Sequence, residues 1–245
     1  MMNLTETVLY SCGISLFTSF GIQKVEAKRP NILFIMTDQQ RYDMLSCAGN
    51  RYVHTPSLDQ LAENGVRFER NYCANPVSMP SRFAMITGRF AGEIGYTNNS
   101  TKPDTLRVLP VARESSVGNL FRNAGYETIY SGYPGFYCGR TDITDYGFIQ
   151  NGMDFYDGPS NFAESFFAGY KPEEDKPFFL YLSFMNPHDI CYGAGFDPRF
   201  PDKLRPHQIA ATQKYINFRK TLSEEEYRNQ IPPVPANICL LYTSP

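Results

Sequence analysis

The segment Asn75-Pro76-Val77-Ser78-Met79-Pro80-Ser81-Arg82-Phe83-Ala84-Met85-Ile86-Thr87-Gly88 gathers residue types with which a protein handles an anion. Pro80 suits the first turn of a helix, and Phe83, Ala84 and Ile86 continue it. Ser78 then falls at the helix N-terminus, where N–H groups lacking an intrahelical partner favour negative charge. Arg82 follows on the first turn and can point back at the same spot. A serine, a positive helix end and a guanidinium converging on one point suit an oxyanion substrate. The pattern fits equally a serine that caps a helix followed by an arginine that makes a salt bridge, and helix mechanics alone does not separate the two.

Two further polar clusters each follow an apolar run. Asp38-Gln39-Gln40-Arg41 comes after Asn31–Thr37, and Asn186-Pro187-His188-Asp189 comes after Phe178–Phe184. A carboxylate and an amide oxygen side by side, Asp38 and Gln39, offer hard oxygen ligands, suited to Ca²⁺ or Mg²⁺ rather than to a softer metal. The competing arrangement is a turn in which Asp38 bonds to nearby backbone N–H groups. His188 by itself is either a loop histidine with structural partners or a catalytic one.

The elements that must position these residues alternate between strand and helix. Asn31–Thr37 is a continuous apolar run of strand length, which predicts a central parallel strand covered on both faces. Thr55-Pro56 opens a helix with Leu58, Leu61 and Ala62 as its apolar stripe and Gly65 as its end. Val66–Phe68 reads as a short strand. Ser115 or Ser116 caps a second helix carrying Val117, Leu120 and Phe121, Gly125 ends it, and Tyr126–Tyr130 is the next strand. Phe178–Phe184 is another buried strand. The fold class is therefore α/β, with a mostly parallel central sheet flanked by helices, and the ligand is expected beyond the carboxyl ends of the strands, where both polar clusters fall.

Composition bounds the rest. With 245 residues, 42% hydrophobic and 20% charged, the chain is long enough for a sizeable core, and a net charge of −2 supplies no basic field for nucleic acid. The chain contains no CxxC pair; Cys47, Cys73, Cys138 and Cys191 read as buried small residues rather than a disulfide framework. Val8–Ile22 is mostly apolar and uncharged, and Val25-Glu26-Ala27 presents small residues at the positions a signal peptidase inspects. Residues 1–27 are accordingly read as a signal peptide that sends the protein to the periplasm or the exterior. The stretch is too short and too polar to span a membrane.

Taken together, these motifs resemble the sulfatase family. Ser78-Met79-Pro80-Ser81-Arg82 followed by Thr87-Gly88 is similar to its signature, in which the first residue, Cys or Ser, is oxidised to formylglycine by a maturase. Pro30–Phe34 leading into Thr37-Asp38-Gln39 resembles the family's opening strand and first metal-ligand pair. Lys176–Leu180 leading to Asn186-Pro187-His188 resembles its later strand and sulfate-binding histidine. The resemblance implies an alkaline-phosphatase-like fold and hydrolysis of a sulfated small molecule or glycan. It implies a hydrated formylglycine at position 78 as nucleophile, and Asp38 and Gln39 as ligands of a divalent cation, Ca²⁺ ahead of Mg²⁺. Arg82 would neutralise charge and orient position 78, and His188 would bind sulfate or assist the leaving group.

The sequence departs from the family pattern in two places. Where members carry Gly-Lys-Trp-His, this chain reads Gly132-Tyr133-Pro134-Gly135, with no lysine or histidine through Arg140. Members also continue well beyond this length, adding metal ligands and a smaller C-terminal domain, so residues 28–237 are read as the N-terminal portion of the sulfatase domain. Ile238–Pro245 resembles translated adapter DNA and is read as a non-native tail. A phosphatase or phosphonate hydrolase of the same superfamily, and a non-catalytic sulfoglycan-binding relative, are the other classes this reading leaves open. A triad-type serine hydrolase fits less well, since no Gly-x-Ser-x-Gly elbow occurs.

Overall fold

A computed structural model describes residues 29–99, 110–133, 142–151, 157–172, 176–188, 209, 213, 216–218 and 220–230. The chain divides into residues 1–30 and 31–245, and the fold is that of the second unit. The expected signal peptide, positions 134–141, Asp189 and the tail beyond 230 lie outside the described residues.

Four strands, β1 (Ile32–Asp38), β2 (Glu127–Gly132), β3 (Ile149–Asn151) and β4 (Phe178–Pro187), form one sheet in the order β1-β4-β2-β3. All three pairings are parallel, as the strand–helix alternation predicts. The helices are α1 (Pro56–Asn64), α2 (Ser78–Thr87), α3 (Pro110–Glu114), α4 (Val117–Asn123), α5 (Gly158–Gly169) and α6 (Glu224–Gln230). Alternation along β4 separates two cores. Phe179 and Tyr181 pack with Met79, Phe83 and Ile86 of α2 and with Tyr130, Tyr146 and Phe148. Phe178, Leu180 and Leu182 turn the other way and meet Phe162, Ala163 and Phe166 of α5. The result is a sheet with helices on both faces.

Helix α2 starts where the sequence places it, with Ser78 as its first residue and Pro80 on its first turn. Val77, not Ser78, is the N-cap, and the first intrahelical bond runs from Ser81 N–H to the Val77 carbonyl at 3.0 Å. Pro80 costs nothing on the first turn, because its missing N–H would have had no partner there. Gly88, left-handed at φ 66°, closes the helix through its N–H to the Ala84 carbonyl at 2.8 Å.

Several expectations are corrected. β1 lies at the edge of the described sheet and not at its centre, and on it Leu33 and Ile35 are 44% and 48% exposed. An apolar run states that both faces can be covered; among the described residues only the β4 side and one face are. Val66–Phe68 forms no strand, and Val66, Phe68 and Tyr72 are all exposed. On α1 no residue is buried and Leu61 faces water, while Leu120 of α4 is exposed too. Thr55 does not cap α1 with its side chain; its hydroxyl joins Ser46 and Asp59, which tie the 46–48 turn to the helix. Cys73 is exposed and Cys47 half-buried, both as free thiols, and Cys138 and Cys191 lie outside the described residues.

Candidate functional site

The carboxyl ends of β1 and β4 and the N-terminus of α2 meet around Asp38. β1 and β4 run in step from Ile32 opposite Phe179 to Thr37 opposite Phe184, and the register then slips so that Asp38 pairs with Pro187. The irregularity brings His188 to the strand end, where its N–H donates to the Asp38 carbonyl at 3.2 Å and to that of Met185 at 3.0 Å. The next residue, Gln39, takes a left-handed backbone at φ 63°, a conformation uncommon outside glycine that turns the chain sharply after the strand.

Ser78 reaches the same place from α2. Its hydroxyl donates to Asp38 Oδ1 at 3.2 Å. Arg82, four residues on and hence on the same helix face, sets Nη2 3.3 Å from Asp38 Oδ2, with side chains only 4% and 9% exposed. The carboxylate therefore bonds the two α2 side chains. Asn99 caps the helix from outside by accepting the Met79 N–H at 3.1 Å. Asp38, Gln39, Ser78, Arg82, Asn99 and His188 all line one open cleft of ≈ 680 Å³. All five residues singled out from sequence are thus brought together.

Behind the cleft, Arg82 is held by residues the sequence did not point to. Nη1 donates to Ser183 Oγ at 2.8 Å and lies 3.5 Å from the Tyr133 carbonyl, and the Tyr133 ring centre is 4.9 Å from Cζ. Tyr130, under the same group, has its phenol pushed up to about 12 by burial, against the opposing pull of the Arg82 charge and of hydrogen bonds with Ser183 and Arg82. One signal for Ser183 was available: it is the single hydroxyl-bearing aliphatic side chain within Phe178–Met185. Tyr133 acts partly through its backbone, which no motif encodes.

The donor set around Asp38 fits a hard divalent cation in kind. Carboxylate, amide and hydroxyl oxygens from Asp38, Gln39 and Ser78 line one cleft. In number it is a partial set, since among the described residues no group of three or more His, Cys, Asp or Glu could hold a metal.

The sulfatase family pattern matches residues 30–229. The chain belongs to the sulfatase family. Among curated relatives of this sulfatase chain, N-acetylglucosamine-6-O-sulfatase of Bacteroides thetaiotaomicron is 35% identical over 130 residues, 53% of this chain and 22% of that protein. Human arylsulfatase D is 32% identical over 67% of this chain and 30% of its own length. The Δ4,5-hexuronate-2-O-sulfatase of B. thetaiotaomicron is 30% identical, over 67% of this chain and 35% of its own. The chain spans between about a fifth and about a third of the curated relatives it matches. Among solved structures, a 2-O GAG sulfatase superposes with a TM-score of 0.57 at 24% identity, covering 69% of this chain and 38% of that one. A phosphonate monoester hydrolase from Silicibacter pomeroyi follows at 0.50 and 21%, covering 70% of this chain and 45% of that one. These likenesses establish the alkaline-phosphatase-like fold of this sulfatase chain. Among its described residues no helix is long and apolar enough to cross a membrane.

Proposed function

We propose that this chain carries the nucleophile-bearing part of a sulfuric ester hydrolase, with formylglycine made from Ser78 by a maturase as the attacking group and a sulfated glycan as substrate. The observation that carries the reading is the meeting of Ser78 and Arg82 on the two oxygens of the Asp38 carboxylate, at 3.2 and 3.3 Å, inside a cleft at the strand ends. Two relatives named for O-sulfated sugars support the choice of a glycan. Export through residues 1–27 completes the reading.

Each residue then has a task. Asp38 accepts the hydrogen bond that fixes the direction of the group at position 78. Arg82 contributes a positive charge with little exposure to water, where it stabilises negative charge developing on sulfate oxygens more than it would at the surface. His188, at the end of β4, is the group available to protonate the departing alcohol oxygen. Once formed, the hydrated aldehyde supplies two hydroxyls on one carbon, one to attack sulfur and one whose deprotonation expels sulfate. A divalent cation, Ca²⁺ ahead of Mg²⁺, would be held in part by Asp38 and Gln39 and would supply Lewis-acid polarisation of a sulfate oxygen.

Peptide mass spectrometry of the segment spanning Ser78, paired with a sulfate-release assay, tests this on the full-length protein co-expressed with the maturase, since residues 28–237 alone are expected to be inactive. The expected result is loss of two hydrogens at position 78 and release of inorganic sulfate. Full turnover from protein whose position 78 is unmodified serine overturns the formylglycine route and favours a phosphatase-like hydrolase.

A further inference from the structure

Ser183 is a fully buried hydroxyl at the middle of the sheet, on β4 between Leu182 and Phe184. A polar side chain in such a place is costly unless bonded, and an apolar residue would simply have continued the run. What the hydroxyl meets is Arg82: its Oγ accepts from Nη1 at 2.8 Å. Its backbone serves the same end, since the Ser183 carbonyl accepts the Tyr133 N–H at 2.8 Å and so fixes the turn that lays the Tyr133 ring against the guanidinium. Tyr130 donates its phenolic proton to the Tyr133 carbonyl at 2.7 Å, the same oxygen that faces Arg82 Nη1. The turn is shaped around Ser183 as well. Gly132 has φ 98°, and a Cβ there would land on the Ser183 carbonyl oxygen.

We propose that Ser183 is a positioning residue that aims Arg82, with Tyr130 and the Tyr133 turn completing the hold; the inference rests on the role given to Arg82 above. The guanidinium is rigid and planar, so fixing Nη1 and one face fixes where Nη2 points. It points at Asp38 Oδ2, 3.3 Å away, on the cleft side. Without the Ser183 hydroxyl, Nη1 loses its 2.8 Å acceptor and keeps the longer 3.5 Å contact with the Tyr133 carbonyl. The group is then free to swing away from Asp38 while remaining in place as a charge. Ser183 touches no substrate in this account; it acts through Arg82 alone.

The test uses inorganic sulfate as the probe, titrated by calorimetry into the unaltered protein, Ser183→Ala, Ser183→Thr, Arg82→Gln and the Ser183→Ala/Arg82→Gln double variant. A positioning role predicts that Ser183→Ala weakens sulfate binding by about tenfold, and that Ser183→Thr, which keeps the hydroxyl, restores most of it. The double variant should bind no more weakly than Arg82→Gln alone, because the serine has nothing left to aim. Additive losses, or unchanged affinity in Ser183→Ala, overturn the positioning role and leave the Arg82 reading intact. If the unaltered protein and Arg82→Gln bind sulfate alike, the Arg82 reading fails and this inference with it. Should Ser183→Ala not fold, Tyr130→Phe, which keeps the ring against Tyr181, enters the same cycle with Arg82→Gln, and additivity there overturns the proposal.

Discussion

The Ser78 hydroxyl donates to Asp38 Oδ1 at 3.2 Å across forty residues of sequence, while Oδ2 of the same carboxylate faces Arg82. One carboxylate thereby sets the position of both α2 side chains, and replacing any of the three has a different consequence.

Ser78→Ala should abolish sulfate release while costing little stability. Val77 holds the cap position of α2, so the substitution removes one hydrogen bond and no helix cap. A loss of about 0.5–1.5 kcal/mol is expected in urea denaturation. A cost well above that would mean that the hydroxyl is a structural linchpin rather than a precursor of the nucleophile.

Asp38→Asn is a stability variant as well as an activity variant. It leaves the Arg82 charge, 4% exposed, without its counter-charge. Breaking a buried pair from one side costs about 3–5 kcal/mol, so the urea midpoint should drop sharply. An unshifted midpoint would show that water reaches Arg82 freely.

Gly132→Ala should destabilise by about 2–4 kcal/mol, since a left-handed backbone and an overlap with a backbone carbonyl act together. The position combines φ 98° with a hypothetical Cβ on the Ser183 oxygen and the Pro159 ring. Thermal melting of the variant checks the magnitude.

Alkaline pH should weaken the fold through Tyr130. Burial pushes its phenol from the ordinary 10.0 up to about 12. Above pH 10 the unfolded phenol gives up its proton while the folded one keeps it until about 12, so the folded state binds more protons and stability falls as pH rises. The contribution is whole below pH 10 and gone above about 12. Tyr181, pushed up by burial and by Tyr130 beside it, acts in the same direction. Urea titrations across this window should lose about 3 kcal/mol on account of Tyr130, and Tyr130→Phe should flatten part of the slope. A level profile would contradict the burial.

Period and punctuation made most of this fold legible. Pro80 and the apolar residues after it located α2, the run Phe178–Phe184 located β4, and strand–helix alternation gave parallel pairing with the polar clusters at one end. Coverage was less legible. Leu33, Ile35, Leu61 and Val66 have the apolarity of buried positions, yet burial depends on what lies opposite, and no local pattern records that. The site divides the same way: Asp38, Gln39, Ser78, Arg82 and His188 sit in recognisable strings, whereas Ser183 meets Arg82 across 101 residues and Tyr133 contributes a carbonyl.

The strand order also sets a timetable. Of the four described strands β4 comes last in sequence, yet it lies between β1 and β2, and among those strands β1 has no other neighbour. During synthesis from the N-terminus, β1 waits for its partner, and β2 for its neighbour on the side away from β3, until residues 178–187 have been made, and pairings this distant in sequence are slow to form. Ser183 and His188 arrive with that same segment. The anion cleft is therefore assembled late: Asp38, Ser78 and Arg82 are all synthesised well before the strand that brings them under one roof.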